Sequence, residues 1–312
     1  MLGWIRRKLE NKRQGAKDVP ILHISRVFSH EDYQNHASKD HTDDLARFAF
    51  ERSLIPQTQT EFKYHGYCYV CKKPVNFLVD FNYSYEVDGV LMPNWRERLV
   101  CPSCHLNNRM RATVHIFEQE LKPDYDSIIY VTEQTTRLYK WFREAFTHVF
   151  GSEYLGDSVG YGRRDRRGIR NEDLTRLSFA NNEFDYILSF DVFEHIPKHQ
   201  KALMECYRCL KPGGILYFSV PFIKTSEKNI IRACVSENGE IEHLLPPEYH
   251  GDPLRSDGCL CFHHFGWELL DEINSIGFER ANALLYWSQD LGYLGGEQVM
   301  FTATKPLEEK RI

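Results

Sequence analysis

No stretch of the 312 residues approaches the ~18 consecutive apolar positions that a membrane-spanning helix requires. Charge of one sign is not in excess either: 39 Lys and Arg stand against 44 Asp and Glu, a formal net charge of -5. A general nucleic-acid or membrane-surface binder is therefore not expected. Internal repeats and low-complexity tracts are absent. The first residues, MLGWIRRKLENKRQ, are basic but lack a long apolar core and a small-residue cleavage site, so no secretory leader is expected. Leu2, Ile5 and Leu9 form at most a weak stripe on a basic helix; a packed or frayed terminal helix is preferred to contact with a membrane surface. Glycine is also missing where an α/β nucleotide-binding fold usually has it. SIIYVTEQTTRLYKWF reads as a strand, a turn and a helix, and the turn is Thr132-Glu133-Gln134-Thr135-Thr136.

What is present begins with nine cysteines, an odd number, four of them in two close pairs. Metal-bound thiolates in a reducing compartment fit this better than a disulfide framework, and a cytoplasmic location is the expectation. CYVC at 68–71 and CPSC at 101–104 give C-x2-C-x29-C-x2-C. Each CxxC turn presents two thiolates and two turns complete a tetrahedron, so Cys68, Cys71, Cys101 and Cys104 are assigned to one structural Zn2+. Four Cys ligands leave no open position, which excludes catalysis at that metal. The alternative is two unrelated reduced pairs or a redox disulfide. CYRC at 206–209 has the same spacing, but it lies on an amphipathic helix and reads as core. Arg109 and Arg111, in NNRMRA after the second knuckle, either bind an anion or pin the ribbon; pinning is preferred.

Residues 1–60 are polar, with weak helical periodicity around HTDDLARFAFERSL, and read as a loosely attached arm. Residues 61–120 hold β-like runs (VNFLVDF, RERLV) around the Cys pairs, then a connecting helix. From 121 to 308 strands and helices alternate, the mark of a doubly wound, mostly parallel sheet. KALMECYRCL puts Ala202, Leu203, Cys206, Cys209 and Leu210 on one helical face before Lys211-Pro212-Gly213-Gly214. GWELLDEINSIGF ends likewise near Gly277.

The segment NEDLTRLSFANNEFDYILSFDVFEHIPKHQKALMECYRCLKPGGILYFSVPF resembles class I S-adenosylmethionine-dependent methyltransferases of the type-11 kind. EDL before a turn, FDYILSFDVFEHI, CLKPGG and GILYFSVPF carry the likeness, over roughly residues 125–306. The ribbon followed by LNNRMRA is similar to an N-terminal extension on a bacterial subset of such enzymes. The resemblance implies a Rossmann-like, seven-stranded α/β sheet with its last strand antiparallel, preceded by a small zinc ribbon. It also implies S-adenosyl-L-methionine across the carboxyl ends of the first strands.

By that resemblance, Thr132, Gln134 and Thr136 stand where the family has glycines. Glu133 is expected at the cofactor's ammonium group and Thr132 or Thr135 as hydroxyl contacts. Glu153 ends the second strand about 20 residues beyond the turn, the spacing of a ribose-binding carboxylate; Asp157 is second choice. Asp173, with the Leu174 backbone beside it, corresponds to the adenine contact or else caps a turn. Asp191, Glu194 and His195 follow the fourth strand, where donor and acceptor meet. His195 is a candidate general base, the other reading being loop geometry.

An insert at about 223–265 reads as a lid. Glu248, Tyr249, His250, Asp252 and His263 supply polar groups there, and His250 is the second candidate base; a His/Asp/Glu metal site in the insert is a minor reading. GYGRRDRRGIR is a solvated charge run or a clamp for an anionic acceptor such as a sugar phosphate or an acidic glycan. The function expected is methyl transfer to oxygen or nitrogen of a small-molecule or glycan-like acceptor. The alternatives are a catalytically inactive zinc-ribbon binding module and, with less support, an RNA methyltransferase.

Overall fold

The computed structural model describes residues 19–58 and 60–307. Leu2, Ile5 and Leu9 lie outside the described residues. The chain divides into two compact units. One comprises Ser38–Pro123 and Leu285–Gln298 with the segment up to Ser25; the other comprises Arg26–Ala37, Asp124–Leu284 and the chain from Val299. No helix among the described residues is long and apolar enough to cross a membrane.

In chain order, strand β1 is Ile24–Val27 and helix α1 is His30–Ser53. Strands β2 (Glu61–Cys68), β3 (Lys73–Asp80), β4 (Tyr85–Val87) and β5 (Val90–Met92) follow. Helix α2 (Asn108–Ile116) comes next and runs on as a wider turn over Phe117–Leu121.

In the first unit, β2 and β3 form an antiparallel ladder from Glu61↔Asp80 to Cys68↔Lys73. Period-two alternation buries Val75, Phe77 and Val79 on one face of β3. Asn107 caps α2, its side chain accepting from Met110 N at 2.9 Å. The expected strand over RERLV is not formed; this stretch is a turn that touches the ladder through one Leu78–Val100 bridge. Leu99 has a left-handed backbone (φ 56°), which interrupts an extended run. Glu97 is drawn instead to Arg109 (2.9 Å) and Asn107 (2.8 Å).

From residue 24 onward the segment read as a polar arm carries β1 and the 24-residue α1, which includes the stretch of weak helical periodicity. The attachment is polar, which is why apolar periodicity missed it. The Glu51 carboxylate is only 2% exposed. Its Oε1 accepts from Trp287 Nε1 and Gly295 N at 2.8 Å and from Gly296 N at 3.0 Å. Phe50 adds edge contacts to the Tyr64 and Trp287 rings.

In the second unit, β6 (Ile128–Val131), α3 (Arg137–Ala145), β7 (His148–Gly151), β8 (Phe184–Phe190), α4 (His199–Cys209) and β9 (Leu210–Ser219) alternate. The insert follows as short ladders: β10 (Ile230–Ile231), β11 (Ala233–Val235), β12 (Ile241–His243), β13 (Tyr249–His250), β14 (Cys259–Leu260) and β15 (His263–His264). Helix α5 (Glu268–Ile276), β16 (Glu279–Ser288) and β17 (Tyr293–Thr304) follow in chain order, with Leu285–Gln298 counted in the first unit. Gly277 stops α5 in a left-handed conformation, φ 117°.

The main sheet has seven strands in the order β1-β16-β17-β9-β8-β6-β7. β7, β6, β8 and β9 are parallel and β17 is antiparallel to β9. This is the doubly wound α/β sheet expected, with one difference in membership. β1 occupies one edge, and after β7 the chain makes only a bridge, Glu153↔Asn171. On α4, Ala202, Leu203, Cys206 and Cys209 are buried, so the third Cys pair is core. The parallel order brings the carboxyl ends of β6, β7, β8 and β9 to one side of the sheet, and the site is assembled there. A cavity of about 430 Å³ lies at the other ends of these strands, lined by Asp185, Lys211 and Gly213 among others.

Candidate functional site

The glycine-free turn after β6 is held by the side chains of Thr132, Gln134, Thr135 and Thr136. Thr132 Oγ1 donates to Ser189 Oγ at 3.1 Å. The Gln134 amide spans to the next loop, donating to Gly168 O at 3.0 Å and accepting from Arg170 N at 2.8 Å. Thr136 is the N-cap of α3 and accepts from Tyr139 N at 3.1 Å. The close approach that glycines would allow within the turn is made from β7 instead. A Cβ on Gly151 would fall 2.3 Å from the Tyr139 ring and 2.8 Å from Glu133 O. Glycine is therefore required on the neighbouring strand rather than in the turn.

Glu153 is the brace of this turn. Its Oε1 accepts from Gln134 N and Thr135 N, both at 2.8 Å, and from Thr135 Oγ1 at 2.7 Å. Its Oε2 makes no bond among the described residues. Asp173 serves its own turn: Oδ1 accepts from Thr175 N and Oγ1 (2.8 and 2.7 Å), and Oδ2 from Arg176 Nε (3.1 Å). Leu174 beside it is buried. The runner-up Asp157 accepts from Tyr161 Oη at 2.8 Å and lies in the exposed loop.

The Arg-rich loop is largely self-braced. Arg167 pairs with Asp165 (2.7 Å), Arg164 donates to Gly168 O (2.7 Å), and Arg170 pairs with the buried Glu172 (2.7 Å). Arg163 and Arg166 are exposed.

At the end of β8 the chain reverses at Asp191, whose φ of 55° is unusual for a residue with a Cβ. Ser219 Oγ donates to Asp191 Oδ1 at 2.7 Å, and Asp191 N donates to Ser219 O at 2.9 Å. The turn Phe193–His195 then delivers Glu194 and His195. The insert docks on it: Phe262 N donates to Glu194 O (2.7 Å) and His195 Nδ1 to Leu260 O (2.8 Å). His250, from β13, reaches the same place. Its Nδ1 lies 3.6 Å from Glu194 Oε1, and its ring meets His195 edge-on at 5.0 Å.

Both candidate bases are thus brought together around a carboxylate that is 0% exposed. Among the described residues, neither oxygen of that carboxylate has a hydrogen-bond partner. Burial raises Glu194 above the usual carboxylate range. The neighbouring Cys261 sulfur, and after it the nearby Glu194 and Glu248 carboxylates, push His250 up to about 11. Glu248 bonds His250 and His264, both at 3.0 Å, and Arg232 at 3.1 Å. Of the other insert residues, Tyr249 is exposed, and Asp252 accepts from Leu254 N at 2.7 Å. His263 faces His199 and is lowered by burial to about 4. The Glu194–His250 approach spans 56 positions of chain and could not be found from spacing. The sequence signals were the Glu-His pair after an apolar strand and, separately, His250 in the insert.

In the first unit, the four ribbon cysteines converge, with Sγ···Sγ separations of 3.8 Å (Cys68–Cys104) and 3.7 Å (Cys71–Cys101). A tetrahedron with Zn–S bonds of about 2.3 Å has edges of about 3.8 Å, so the four residues fit zinc. Lys72 and His105, each following a CxxC, share a left-handed backbone (φ 54° and 59°), which turns both knuckles alike. Arg109 pairs with Glu97. Arg111 is fully buried and donates to the carbonyls of Leu291 (2.7 Å), Gly292 (2.9 Å) and Leu99 (3.2 Å). Both arginines pin the ribbon.

Residues 134–218 match a family model described as a methyltransferase domain. An arsenite methyltransferase of Aquipseudomonas alcaligenes is 40% identical over 67 residues, 22% of this chain and 19% of that protein. A probable S-adenosylmethionine-dependent methyltransferase of Mycolicibacterium smegmatis is 32% identical over 75 residues, 23% of this chain and 29% of the relative. The chain thus matches under a third of the length of either relative. Among solved structures, the 1,6-didemethyltoxoflavin-N1-methyltransferase of Burkholderia thailandensis, with S-adenosylhomocysteine bound, covers 63% of this chain and 78% of its own at 15% identity and a TM-score of 0.38.

Proposed function

We propose that the protein, whose residues 134–218 match a methyltransferase-domain model, binds S-adenosylmethionine at the carboxyl ends of β6, β7 and β8 and methylates oxygen or nitrogen of a small-molecule or glycan-like acceptor. The observation that carries the reading is the Glu153 brace. One carboxylate oxygen fixes the turn after β6, and the other stays free beside it to accept from a ribose hydroxyl. When bound, the cofactor supplies a methyl group on a sulfonium, an electrophile with a good leaving group.

The chain's residues then bind, orient and exclude water. Thr132, Glu133 and Thr135 border the amino-acid end of the cofactor. Asp173 and Leu174 border the adenine end, where Asp173 Oδ2 has a second lone pair beyond its Arg176 bond. Asp191 stands between them at the end of β8. The Glu194–His195–His250 cluster faces the acceptor. His195 donates through Nδ1 to Leu260 O, which leaves the Nε2 lone pair available. His250 holds its proton near neutrality, so proton acceptance falls to His195. Arg163 and Arg166 favour an anionic acceptor, and the ribbon cysteines hold a structural zinc in a reducing compartment such as the cytoplasm.

The test is transfer of labelled methyl from S-adenosylmethionine to a metabolite extract, with Glu153→Ala as control. Labelling that the variant loses supports the reading. No labelling, together with strongly salt-dependent RNA binding, would move it to the nucleic-acid alternative.

A further inference from the structure

The geometry points to a second metal centre, separate from the four-cysteine site: Glu194, His195 and His250 form a three-residue site for a divalent ion of the zinc or iron(II) class. The ligand atoms of these three residues all lie within 4.8 Å of one another. Glu194 Oε1 is 3.7 Å from His195 Nε2 and 3.6 Å from His250 Nδ1. Those separations are too long for hydrogen bonds. They fit two donors on one ion, since bonds of about 2.0–2.1 Å put tetrahedral neighbours about 3.4 Å apart. The ribbon cysteines show the same relation on the scale of longer sulfur bonds, at 3.7 and 3.8 Å.

Two further features make this a built site rather than a crowded one. Glu194 is completely buried, with neither oxygen hydrogen-bonded among the described residues. An unsatisfied buried carboxylate is costly, and an ion between it and the imidazoles would satisfy it. Each histidine also commits its outward nitrogen elsewhere. His195 Nδ1 donates to Leu260 O at 2.8 Å, and His250 Nε2 to the Glu248 carboxylate at 3.0 Å. That orients both rings with the other nitrogen aimed inward, His250 giving up its Nδ1 proton as the ion binds, the usual support behind metal-bound imidazole. His264 and Arg232 hold Glu248 in turn.

Two imidazoles and one carboxylate select a borderline transition ion over magnesium or calcium, which take oxygen ligands. Three protein ligands leave a coordination position open. At the end of β8 that position would be taken by an oxygen or nitrogen of the acceptor. This role, unlike occupancy itself, rests on the methyltransferase reading. In the loaded site His195 serves as a ligand instead of a base.

The test is metal content of the full chain after dialysis against Zn2+ or, anaerobically, Fe2+. About two ions per chain are expected, falling to about one in Glu194→Gln and in His250→Ala while the ribbon zinc remains. One ion per chain in the unaltered protein, unchanged in both variants, would overturn the proposal. Should the variants not fold, anomalous scattering from crystals of the unaltered protein decides. A peak among Glu194, His195 and His250 supports the site, and a peak at the four cysteines alone overturns it. S-adenosylhomocysteine binding by the same samples separates this outcome from failure of the methyltransferase reading.

Discussion

Replacing Arg111 by methionine tests whether the zinc ribbon is built around a buried cation. The guanidinium is fully buried, and no carboxylate partners it among the described residues. It donates to three carbonyls and lies 3.8 Å from the Phe77 ring. A four-thiolate zinc site carries two net negative charges, and Cys68, Cys104 and Cys101 act electrostatically on Arg111. Methionine keeps much of the volume but orphans the carbonyls of Leu99, Leu291 and Gly292, each worth about 1 kcal/mol. Loss of the cation over Phe77 adds about 1 kcal/mol. Relief from burying a charge returns part of this, leaving a net loss of about 3 kcal/mol. Urea unfolding at saturating zinc, followed by tryptophan fluorescence, reads the change. Faster zinc transfer to a chromogenic chelator should accompany it. A loss below about 1 kcal/mol with unchanged zinc release would refute the reasoning.

Three other perturbations have definite expected outcomes. His115 is buried against Tyr69, and burial, with Lys72 nearby, lowers it to about 3. A lowered folded value means the unfolded chain takes the proton first, so this contribution is whole above about pH 6.5 and is lost as pH falls toward 3. The loss amounts to about 2 kcal/mol by pH 5, and His115→Phe should flatten that part of the stability curve measured at constant zinc. Thr136→Ala removes the α3 cap bond and should cost about 1 kcal/mol in denaturant unfolding, with unchanged stability counting against it. Gly151→Ala drives a methyl into the Tyr139 ring and Glu133 O, and should weaken S-adenosylhomocysteine binding at least about tenfold, or about 1.4 kcal/mol, in calorimetry.

The α/β alternation was legible because each element carries its own periodicity. FDYILSF, KALMECYRCL and GILYFSVPF fall on β8, α4 and β9 within a few residues. The metal knuckles were legible because two CxxC turns have few other uses. Polar anchorage was not: α1 is held through Glu51, a carboxylate that apolar periodicity treats as solvent-facing. The sheet's edge strand β1 is four residues long, too short to announce itself. At the candidate site, sequence singled out the turn after β6, Glu153 and the Glu-His pair. It did not show that Glu153 would splint the turn, that Gly151 would supply the missing close approach, or that His250 would face Glu194. Each of these depends on which strand ends become neighbours, which only the folded sheet determines.

Isothermal calorimetry of the full chain with S-adenosylhomocysteine addresses the central claim most directly. Saturable one-to-one binding in the micromolar range, abolished or strongly weakened by Glu153→Ala, is the predicted result. No heat at millimolar ligand would contradict it and leave a zinc-ribbon protein whose methyltransferase-like sheet serves another purpose.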